Sequence, residues 1–337
     1  MVIGHGNDKY KYGKEILHDF SSNIPGGMDH SGLFAFLQEK LPSITDYPNP
    51  TASPLDEYIA KRLSIPQNTI CISNGATEGI YLIAQAFRGC RSCVLMPTFS
   101  EYADACRMHG HSVNSIFSLN DIPNDSHLIW LCNPNNPTGT IQEKNLLIKL
   151  IKENHNKIFI IDQSYECLTE QPVLQANEIL NYENVILIHS LTKEFAIPGL
   201  RLGYLTASPM LIKRIGEERM PWSVNQLAIQ AGCYLLQHEQ EYKLNLHYIL
   251  QEKDKLTNEL QELGGMEVWP SCTNFILIQL LFGKAPDLKD YLAKEHKILI
   301  RDCSNFEGLN EHFFRVAVQT PEENKLLLDA IKKWMNK

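Results

Sequence analysis

The stretch NVILIHSLTKEFAIPGLRLGYLT, residues 184–206, decides the fold of this chain. It begins with a short, almost wholly apolar run, continues through polar residues that include Lys193, and ends in a second apolar run. Apolar runs of this length are typical of strands that are covered on both faces. The polar residues therefore follow the end of a buried strand, which is the edge at which open α/β sheets bind ligands.

Five more apolar runs precede this stretch, and helical patterns at residues 78–88, 100–109 and 142–156 fill most of the gaps. Glycine follows the first two helical patterns, as is expected just beyond a helix end. This alternation predicts an α/β fold whose large domain has a doubly wound, mixed sheet of about seven strands. The runs lie at residues 69–73, 93–97, 112–117, 127–132, 157–162, 184–190 and 201–206.

The last third of the chain has a different pattern, which predicts a smaller α+β domain. One long helix is expected over residues 237–263, because its apolar residues recur at helical spacing and Gly264-Gly265 follows. Thr320, Pro321 and Glu323 have the pattern of a helix start: an N-cap, a proline and a capping-box glutamate. Two strands and one further helix are expected near 273–282, 313–319 and 287–296.

These patterns divide the chain into three segments. The first forty residues have mixed patterning, and we expect them to pack with the small domain. The predicted boundaries are 1–40 for this N-terminal segment, 41–236 for the large domain and 237–337 for the small domain.

Charge and cysteine content exclude several classes of protein. The 337 residues include 31 basic and 39 acidic ones, a net charge of -8, whereas a general nucleic-acid binder usually has a basic face. No apolar run approaches the roughly 18 residues that span a bilayer, and residues 1–15 lack the apolar core of a signal peptide. Nine scattered cysteines, of which Cys90 and Cys93 form a lone C-x-x-C pair, predict a cytoplasmic protein without a metal site.

Polar residues collect directly after four of the predicted strands. The run Gly75-Ala76-Thr77 begins a helix whose N–H groups can hold a phosphate, although an ordinary helix start has the same pattern. Asp162 ends an apolar strand, either as a structural carboxylate or as the partner of a cationic ring nitrogen. Lys193 is either a solvated surface lysine or, in a crevice beside cations such as Arg201, a candidate for a Schiff base.

Together these groups suit pyridoxal 5′-phosphate, which needs a lysine for its aldehyde, a carboxylate for its ring nitrogen and a cup for its phosphate. In order and spacing, the motifs resemble those of the class I and II aminotransferases of fold type I. The resemblance covers nearly the whole chain and implies a pyridoxal-phosphate enzyme whose large domain binds the cofactor. The matching segments are Ser190–Lys193, Pro198–Tyr204, Asn136–Gly139 and Asp162 with Tyr165.

The resemblance implies a role for each matching residue. Lys193 is the lysine that bonds covalently to the cofactor aldehyde, and Asp162 pairs with the ring nitrogen. Tyr165 and Asn136 bond the phenolic oxygen, and Phe99 stacks on the ring, with a core aromatic as the alternative for Phe99. The residues implied to bind the cofactor phosphate are Gly75, Ala76, Thr77, Ser190 and Arg201.

The resemblance also implies a partner subunit and a substrate contact. Tyr47, in Asp46-Tyr47-Pro48, resembles the tyrosine that reaches the cofactor phosphate of a neighbouring subunit, so a homodimer is expected. Arg315 resembles the arginine that binds the substrate carboxylate, and its planar guanidinium suits bidentate pairing.

Two subfamilies compete: the histidinol-phosphate aminotransferases and the L-threonine-O-3-phosphate decarboxylases of cobalamin biosynthesis. Ile197-Pro198, the segment Leu299–Phe306, and His5-Gly6 with Asp19–Asn23 resemble the decarboxylases. Asn7 follows Gly6 where that subfamily often has a second glycine. A further alternative is a non-catalytic, aminotransferase-like effector-binding domain, against which the retained lysine argues.

The predicted reaction is decarboxylation of L-threonine O-3-phosphate to 1-amino-2-propanol O-2-phosphate. The substrate carries a phosphate and a carboxylate, so two anion-binding groups are needed. We expect Arg301 and Arg315 to supply them, with His5, Asn23 and Asn136 as further contacts. The alternatives are a surface ion pair for Arg301 and a mobile terminus for His5. Orientation of the carboxylate out of the cofactor plane would select loss of carbon dioxide.

Overall fold

The computed structural model describes residues 6–336 of the chain. Over these residues the strands form three sheets, with seven, four and two strands. The strands are β1 (His18–Asp19), β2 (Ile70–Ser73), β3 (Arg91–Leu95), β4 (Ser112–Ile116), β5 (Leu128–Cys132), β6 (Ile158–Asp162), β7 (Val185–Ser190), β8 (Gly203–Ala207), β9 (Met266–Val268), β10 (Phe275–Leu280), β11 (Ile298–Leu299), β12 (Arg301–Asp302) and β13 (Phe313–Ala317).

Helices follow most strands of the large sheet and cover one face of the four-stranded sheet. They are α1 (Ser31–Lys40), α2 (Leu55–Leu63), α3 (Gly75–Ala86), α4 (Glu101–Met108), α5 (Lys144–Glu153), α6 (Ala176–Ile179), α7 (Leu191–Glu194), α8 (Pro209–Gly216), α9 (Gln226–Gln237), α10 (Leu246–Leu263), α11 (Ala285–His296) and α12 (Pro321–Met335). No helix within residues 6–336 is long and apolar enough to cross a membrane.

The large sheet is mixed, and each predicted apolar run overlaps one of its strands. The order across the sheet is β2-β8-β7-β6-β5-β3-β4, and only β8 runs antiparallel to its neighbours. The prediction of an α/β fold with a seven-stranded mixed sheet is therefore confirmed.

Both faces of the large sheet are buried except at its edge strand β4, which explains why most of its other strands are apolar at nearly every position. Leu128 and Trp130 of β5 lie in an apolar cluster with residues of α3, α4 and α8. Ile129 and Leu131, on the opposite face, lie in a second cluster with residues of α5. Because neighbouring residues of a strand point to opposite faces, a strand covered on both sides has no polar face.

The four-stranded sheet is antiparallel, with the order β12-β13-β10-β9, and α10, α11 and α12 cover one of its faces. Its last helix begins as predicted. The Thr320 side chain accepts a hydrogen bond from the Glu323 backbone N–H (3.3 Å), and the Glu323 carboxylate accepts one from the Thr320 N–H (3.4 Å). The predicted capping box is thus confirmed.

The prediction of one helix over residues 237–263 is wrong. Helix α9 ends at Gln237, and α10 begins only at Leu246. The Asn245 side chain accepts a hydrogen bond from the Tyr248 backbone N–H (3.3 Å), so an asparagine cap starts a new helix here. Tyr242 belongs to the connection and packs into a core with Leu33.

The first forty residues divide between the two parts of the molecule. Strand β1 pairs in parallel with β11, and Phe20 is buried in the core of the four-stranded sheet. Helix α1 packs instead against α9, with Leu33 buried between them. Asp8 forms a buried ion pair with Lys289 of α11 (2.7 Å). The domain boundaries at residues 41 and 237 remain a prediction.

Cys90 and Cys93 lie at the start of β3 as free thiols, the first half-buried and the second buried. Within the described part of the chain, no group of three or more histidine, cysteine or acidic side chains is arranged to hold a metal ion.

Candidate active site

A cavity of about 330 Å³ opens where β5, β6 and β7 end. Its lining comes from the loops after these strands, the start of α3, the N-terminal segment and strands β12 and β13. It brings together most of the predicted site residues, from distant positions in the sequence. These are Ala76, Thr77, Phe99, Asn136, Asp162, Tyr165, Ser190, Lys193, Arg201, Arg301 and Arg315.

Lys193 lies in α7, a single turn directly after β7. Its Nζ atom donates a hydrogen bond to the Ser22 carbonyl (2.7 Å) and lies 5.8 Å from the centre of the Tyr165 ring. Burial lowers the pKa of Lys193 to about 7, and the positive charges of Arg315 and Arg201 act in the same direction. A large fraction of the amine is therefore neutral near pH 7, which is the form that attacks an aldehyde.

Asp162 is the last residue of β6, and its carboxylate is buried. One oxygen accepts a hydrogen bond from the Tyr102 hydroxyl (2.7 Å), and the other accepts one from the Ser164 backbone N–H (2.8 Å). Burial raises the pKa of Asp162, whereas the hydrogen bonds from Ser164 and Tyr102 lower it. The carboxylate is held in one orientation at the cavity, where it can pair with a cationic ring nitrogen.

The start of α3 and Arg201 form a positively charged corner of the cavity. Gly75 has a left-handed backbone (φ 79°), and a Cβ atom there would lie only 2.7 Å from Arg201 Nη2. Glycine thus lets the guanidinium approach the free N–H groups of the helix start, which already carry positive potential. Ala76 and Thr77 line this corner. Two positive groups this close together suit a phosphate between them.

Polar and aromatic side chains complete this end of the cavity. The Asn136 Oδ1 atom accepts a hydrogen bond from Arg315 Nη1. Burial raises the pKa of the Tyr165 hydroxyl, which therefore remains protonated and able to donate. Phe99 borders the cavity with its ring edge-on to Tyr102, at 5.9 Å between ring centres. An aromatic surface beside amide and phenol groups suits a ring that carries a phenolic oxygen.

The opposite wall of the cavity contains two buried arginines. Arg301 of β12 and Arg315 of β13 lie directly opposite each other in the antiparallel sheet and are 5% and 4% exposed. Like charges at such positions destabilise a sheet. Within residues 6–336, no ion pair joins either guanidinium to a carboxylate. Their placement is therefore costly for the fold unless anions bind to them.

Neutral partners hold both guanidinium groups in place. Arg315 donates from Nη2 to the Ser21 carbonyl (2.7 Å), whereas its buried Nε atom has no hydrogen-bond partner within residues 6–336. Arg301 donates to the Asn305 side chain (2.8 Å) and lies 5.0 Å from the centre of the Phe306 ring. Both groups retain their charge and unused hydrogen-bonding capacity.

The N-terminal segment closes the cavity beside these arginines. Gly6 lies so close to Ser21 that a Cβ atom would be 2.3 Å from its carbonyl oxygen, which explains why glycine occupies this position. The Asn7 N–H donates to the Ser21 hydroxyl (2.7 Å). Asn7 has φ 57°, a conformation that glycine adopts freely and that asparagine tolerates better than most residues. Asparagine in place of a second glycine is therefore compatible with this turn.

Besides Gly75, whose backbone lies against Arg201, three predicted site residues lie outside the cavity lining or outside the described chain. Asn23 is fully buried, and its amide has no hydrogen-bond partner among residues 6–336. Tyr47 is 85% exposed on the surface, with its ring 5.2 Å from that of Trp222, so it does not reach the cavity of its own chain. His5 lies outside the described residues.

The structure adds residues that the sequence did not indicate. Tyr102 orients Asp162 from α4, and the Ser22 carbonyl accepts a hydrogen bond from Lys193. Tyr102 has the spacing of an ordinary core aromatic, and its partner is sixty residues away, so no local pattern marks it. Ser22 occurs in the N-terminal motif, but every residue type has a backbone carbonyl, so the sequence does not indicate this contact.

Comparison with known proteins agrees with this geometry. The model of the family "Aminotransferase class I and II" matches residues 16–331. The chain belongs to this family. Its members depend on pyridoxal phosphate, so the resemblance and the cofactor expected from the sequence are confirmed. The site residues fit this cofactor, because a partly buried lysine with a lowered pKa, an oriented carboxylate and a positive corner converge on one cavity.

Similar proteins include both decarboxylases and aminotransferases. The chain is 34% identical, over 94% of its length, to the adenosylcobalamin biosynthesis bifunctional protein CobDQ of Leptospira interrogans, of which it spans 38%. The crystal structure of L-threonine-O-3-phosphate decarboxylase from Porphyromonas gingivalis is 36% identical, with a TM-score of 0.92 over 95% of this chain and 100% of that one. A histidinol-phosphate aminotransferase of Thermoanaerobacter sp. strain X514 is 31% identical over 87% of this chain and 86% of its own.

Proposed function

We propose that this enzyme decarboxylates L-threonine O-3-phosphate to 1-amino-2-propanol O-2-phosphate, as a step of cobalamin biosynthesis. The observation that carries the proposal is the pair of buried arginines, Arg301 and Arg315, opposite each other at the cavity wall. Similarity to a threonine-phosphate decarboxylase over nearly the whole chain supports the same reaction.

The substrate has two anionic groups, and the cavity has two buried cations without carboxylate partners in the described chain. Arg315 contacts Asn136, a residue of the cofactor end, so we assign it to the carboxylate, which is attached to the reacting carbon. Arg301 is assigned to the phosphate, beside Gly6 and Asn7 of the N-terminal segment. Bidentate guanidinium contacts fix both the position and the orientation of such groups.

Orientation of the substrate then selects the bond that breaks. Arg315 and Asn136 would hold the substrate carboxylate in one orientation, and that orientation would decide which bond to Cα is broken. Pyridoxal phosphate, when bound, supplies a ring that accepts the electron pair released as carbon dioxide leaves. Asp162 stabilises the positive charge that makes the ring nitrogen electron-withdrawing.

Lys193 completes the reaction with a proton. Carbon dioxide leaves without the electron pair of the broken bond, so Cα must gain one proton to form the product amine. With a pKa of about 7, the Lys193 amine can carry a proton and release it at neutral pH. Because carbon dioxide leaves and a proton replaces it, no oxo-acid acceptor is needed.

The deciding experiment gives the purified, cofactor-loaded enzyme two substrates in turn. Release of carbon dioxide from threonine phosphate, without any oxo acid present, supports the proposal. Histidinol phosphate has no carboxylate to lose, so it is offered together with 2-oxoglutarate. Formation of glutamate from that mixture, with no carbon dioxide from threonine phosphate, would instead identify an aminotransferase and leave the cofactor site unchanged.

We further propose that the enzyme is a cytoplasmic homodimer in which Tyr47 reaches the cofactor phosphate of the neighbouring subunit. Tyr47 and Trp222 are exposed aromatic side chains whose rings are 5.2 Å apart, and adjoining exposed aromatic groups of this kind suit a protein interface. Light scattering at working concentrations should give the mass of two chains. This role would be removed if the wild type were a monomer, or if the Tyr47→Ala variant bound the cofactor as tightly as wild type does.

A further inference from the structure

The residue next to Lys193 has a set of contacts that the chemistry above does not use. Glu194 is the last residue of α7 and lines a separate cavity of about 260 Å³. Its carboxylate accepts two hydrogen bonds from the guanidinium of Arg62 in α2, one from Nη1 (3.1 Å) and one from Nη2. This is the forked geometry in which arginine binds carboxylates most firmly.

The same guanidinium also contacts the connection between α9 and α10. Arg62 Nη2 lies 2.9 Å from a carboxylate oxygen of Glu239, within the segment 238–245. All three side chains are partly buried, so their attraction is screened less than that of exposed pairs. One cation therefore joins the helix that carries Lys193 to the segment that leads into α10.

Helix α7 needs such external contacts to keep its orientation. It has four residues, and a helix of one turn is not stable on its own. On the side of Phe195, the ring of His30 donates from Nε2 to the Phe195 carbonyl (2.8 Å). The ion pair with Arg62 is a second anchor, on the residue directly after Lys193.

Arg62 also favours the charged form of Glu194. The pKa of the Glu194 carboxyl is raised overall, chiefly by burial, and the hydrogen bonds and charge of Arg62 act against this rise. The carboxylates of Glu166 and Glu239 lie near enough to raise it further, and Glu166 is itself bonded to His189 (2.6 Å). Without Arg62, Glu194 would take up a proton or turn away from its neighbours, and the anchor would be lost.

We propose that Arg62 is a positioning residue that fixes Lys193 in the cofactor cavity through its ion pair with Glu194. The inference rests on the proposed role of Lys193 as the lysine that bonds to the cofactor. It assigns Arg62 to the placement of that amine and leaves recognition of the substrate to Arg301 and Arg315.

Three variants separate this role from a general effect on stability. Arg62→Met removes the ion pair and retains much of the apolar stem, whereas Arg62→Lys keeps the charge without the fork. Arg88→Met is the matched control, because Arg88 forms an ion pair with Glu218 (2.6 Å) beyond the far end of α3 and is 63% exposed. Melting temperatures of all three are measured beside the readouts below.

Two readouts use the cofactor-free protein. We expect Arg62→Met to bind pyridoxal phosphate about tenfold more weakly than wild type, as followed by tryptophan fluorescence, because a displaced amine reacts poorly. The pH midpoint at which Lys193 reacts with an amine reagent, followed by mass spectrometry, should also move. Arg62→Lys should lie between wild type and Arg62→Met, and Arg88→Met should match wild type.

In the loaded enzyme, the effect should appear in kcat. We expect kcat to fall about tenfold in Arg62→Met and KM for threonine phosphate to change less than about twofold, since the substrate arginines are untouched. The proposal would be overturned if Arg62→Met melted at a lower temperature but had the same cofactor affinity and labelling midpoint as Arg88→Met. The ion pair would then be purely structural.

Glu194→Gln keeps the test decisive if Arg62→Met does not fold, because it retains the shape of the side chain and removes the charge. The same shifts are expected, and wild-type cofactor affinity in Glu194→Gln would overturn the proposal. Lys193→Ala distinguishes failure of the proposed role of Lys193 from failure of the proposed role of Arg62. If it still forms a covalent complex with the cofactor, the role of Lys193 fails; if it does not and the Arg62 variants behave as controls, only the inference about Arg62 fails.

Discussion

The two ends of the cavity are built on different principles. At the large sheet, Asp162 ends one buried strand, Lys193 lies in the turn of helix after another, and both have hydrogen-bond partners on the protein. At the four-stranded sheet, Arg301 and Arg315 face each other as like charges, and no carboxylate of residues 6–336 pairs with them. The cofactor end is therefore arranged before any ligand binds, whereas the substrate end gains stability when anions arrive.

This difference indicates where mutations act. Changes at the large sheet should remove chemistry and leave substrate recognition intact. Changes at the four-stranded sheet should weaken substrate binding, and the cofactor should remain bound.

The largest expected effect is that of Lys193→Ala. The variant should lose the near-visible absorbance of the covalently bound cofactor and at least about 10³-fold in activity, because it lacks both the nucleophile and the proton donor. Absorbance spectra and carbon dioxide release measure the two losses. Lys255→Ala is a suitable control, since Lys255 is exposed and forms an ion pair with Glu252 away from the cavity. If Lys193→Ala retained the absorbance, the cofactor end would not depend on Lys193, and the difference described between the two ends of the cavity would not hold.

The next effect is that of the substrate arginines. Arg315→Ala and Arg301→Ala should each lower kcat/KM. The corresponding loss of transition-state stabilisation should be about 2–5 kcal/mol, as expected for loss of one partner of a buried, charge-assisted contact. The cofactor absorbance should be unchanged, and Arg88→Ala should have wild-type kinetics. Near-wild-type kinetics in Arg301→Ala would restrict the substrate end to Arg315.

A third test concerns the stability cost of the cofactor lysine. Between its folded pKa of about 7 and its unfolded value near 10.4, the unfolded chain binds a proton that the folded chain does not. Stability of the cofactor-free protein should therefore rise with pH in this range. Lys193→Met should melt at a higher temperature than wild type near pH 7, and the difference should shrink as the pH rises. Equal melting temperatures near pH 7 would show that the amine is not buried.

The smallest expected effect is that of Tyr102→Phe. The variant loses one hydrogen bond to Asp162 while the Ser164 N–H still orients the carboxylate, so kcat should fall by the equivalent of about 1 kcal/mol. Steady-state kinetics measure this loss, and the melting temperature shows whether the hydroxyl mainly stabilises the fold. Unchanged kcat would show that the Ser164 contact is sufficient.

Sequence patterns predicted the large sheet well, because its strands, apart from the edge strand β4, are buried on both faces and form isolated apolar runs. The connection after α9 was predicted poorly. Tyr242 and Leu246 continue the apolar spacing of a helix, and only the Asn245 cap and the packing of Tyr242 on Leu33 show that the helix ends. Periodicity records which residues are apolar, but not which neighbour buries them.

Residue type and spacing by themselves determined the α/β fold, the family and the groups at or just after the ends of strands, such as Asp162 and Lys193. These groups are local, because a parallel strand always delivers the next residues to the same edge of its sheet. Only the tertiary structure decided that Arg301 lies opposite Arg315, that Tyr102 orients Asp162, and that Arg62 holds Glu194. Each of these pairs joins separate elements, and strand pairing and packing between such elements follow from the global arrangement of the chain, which no local pattern encodes.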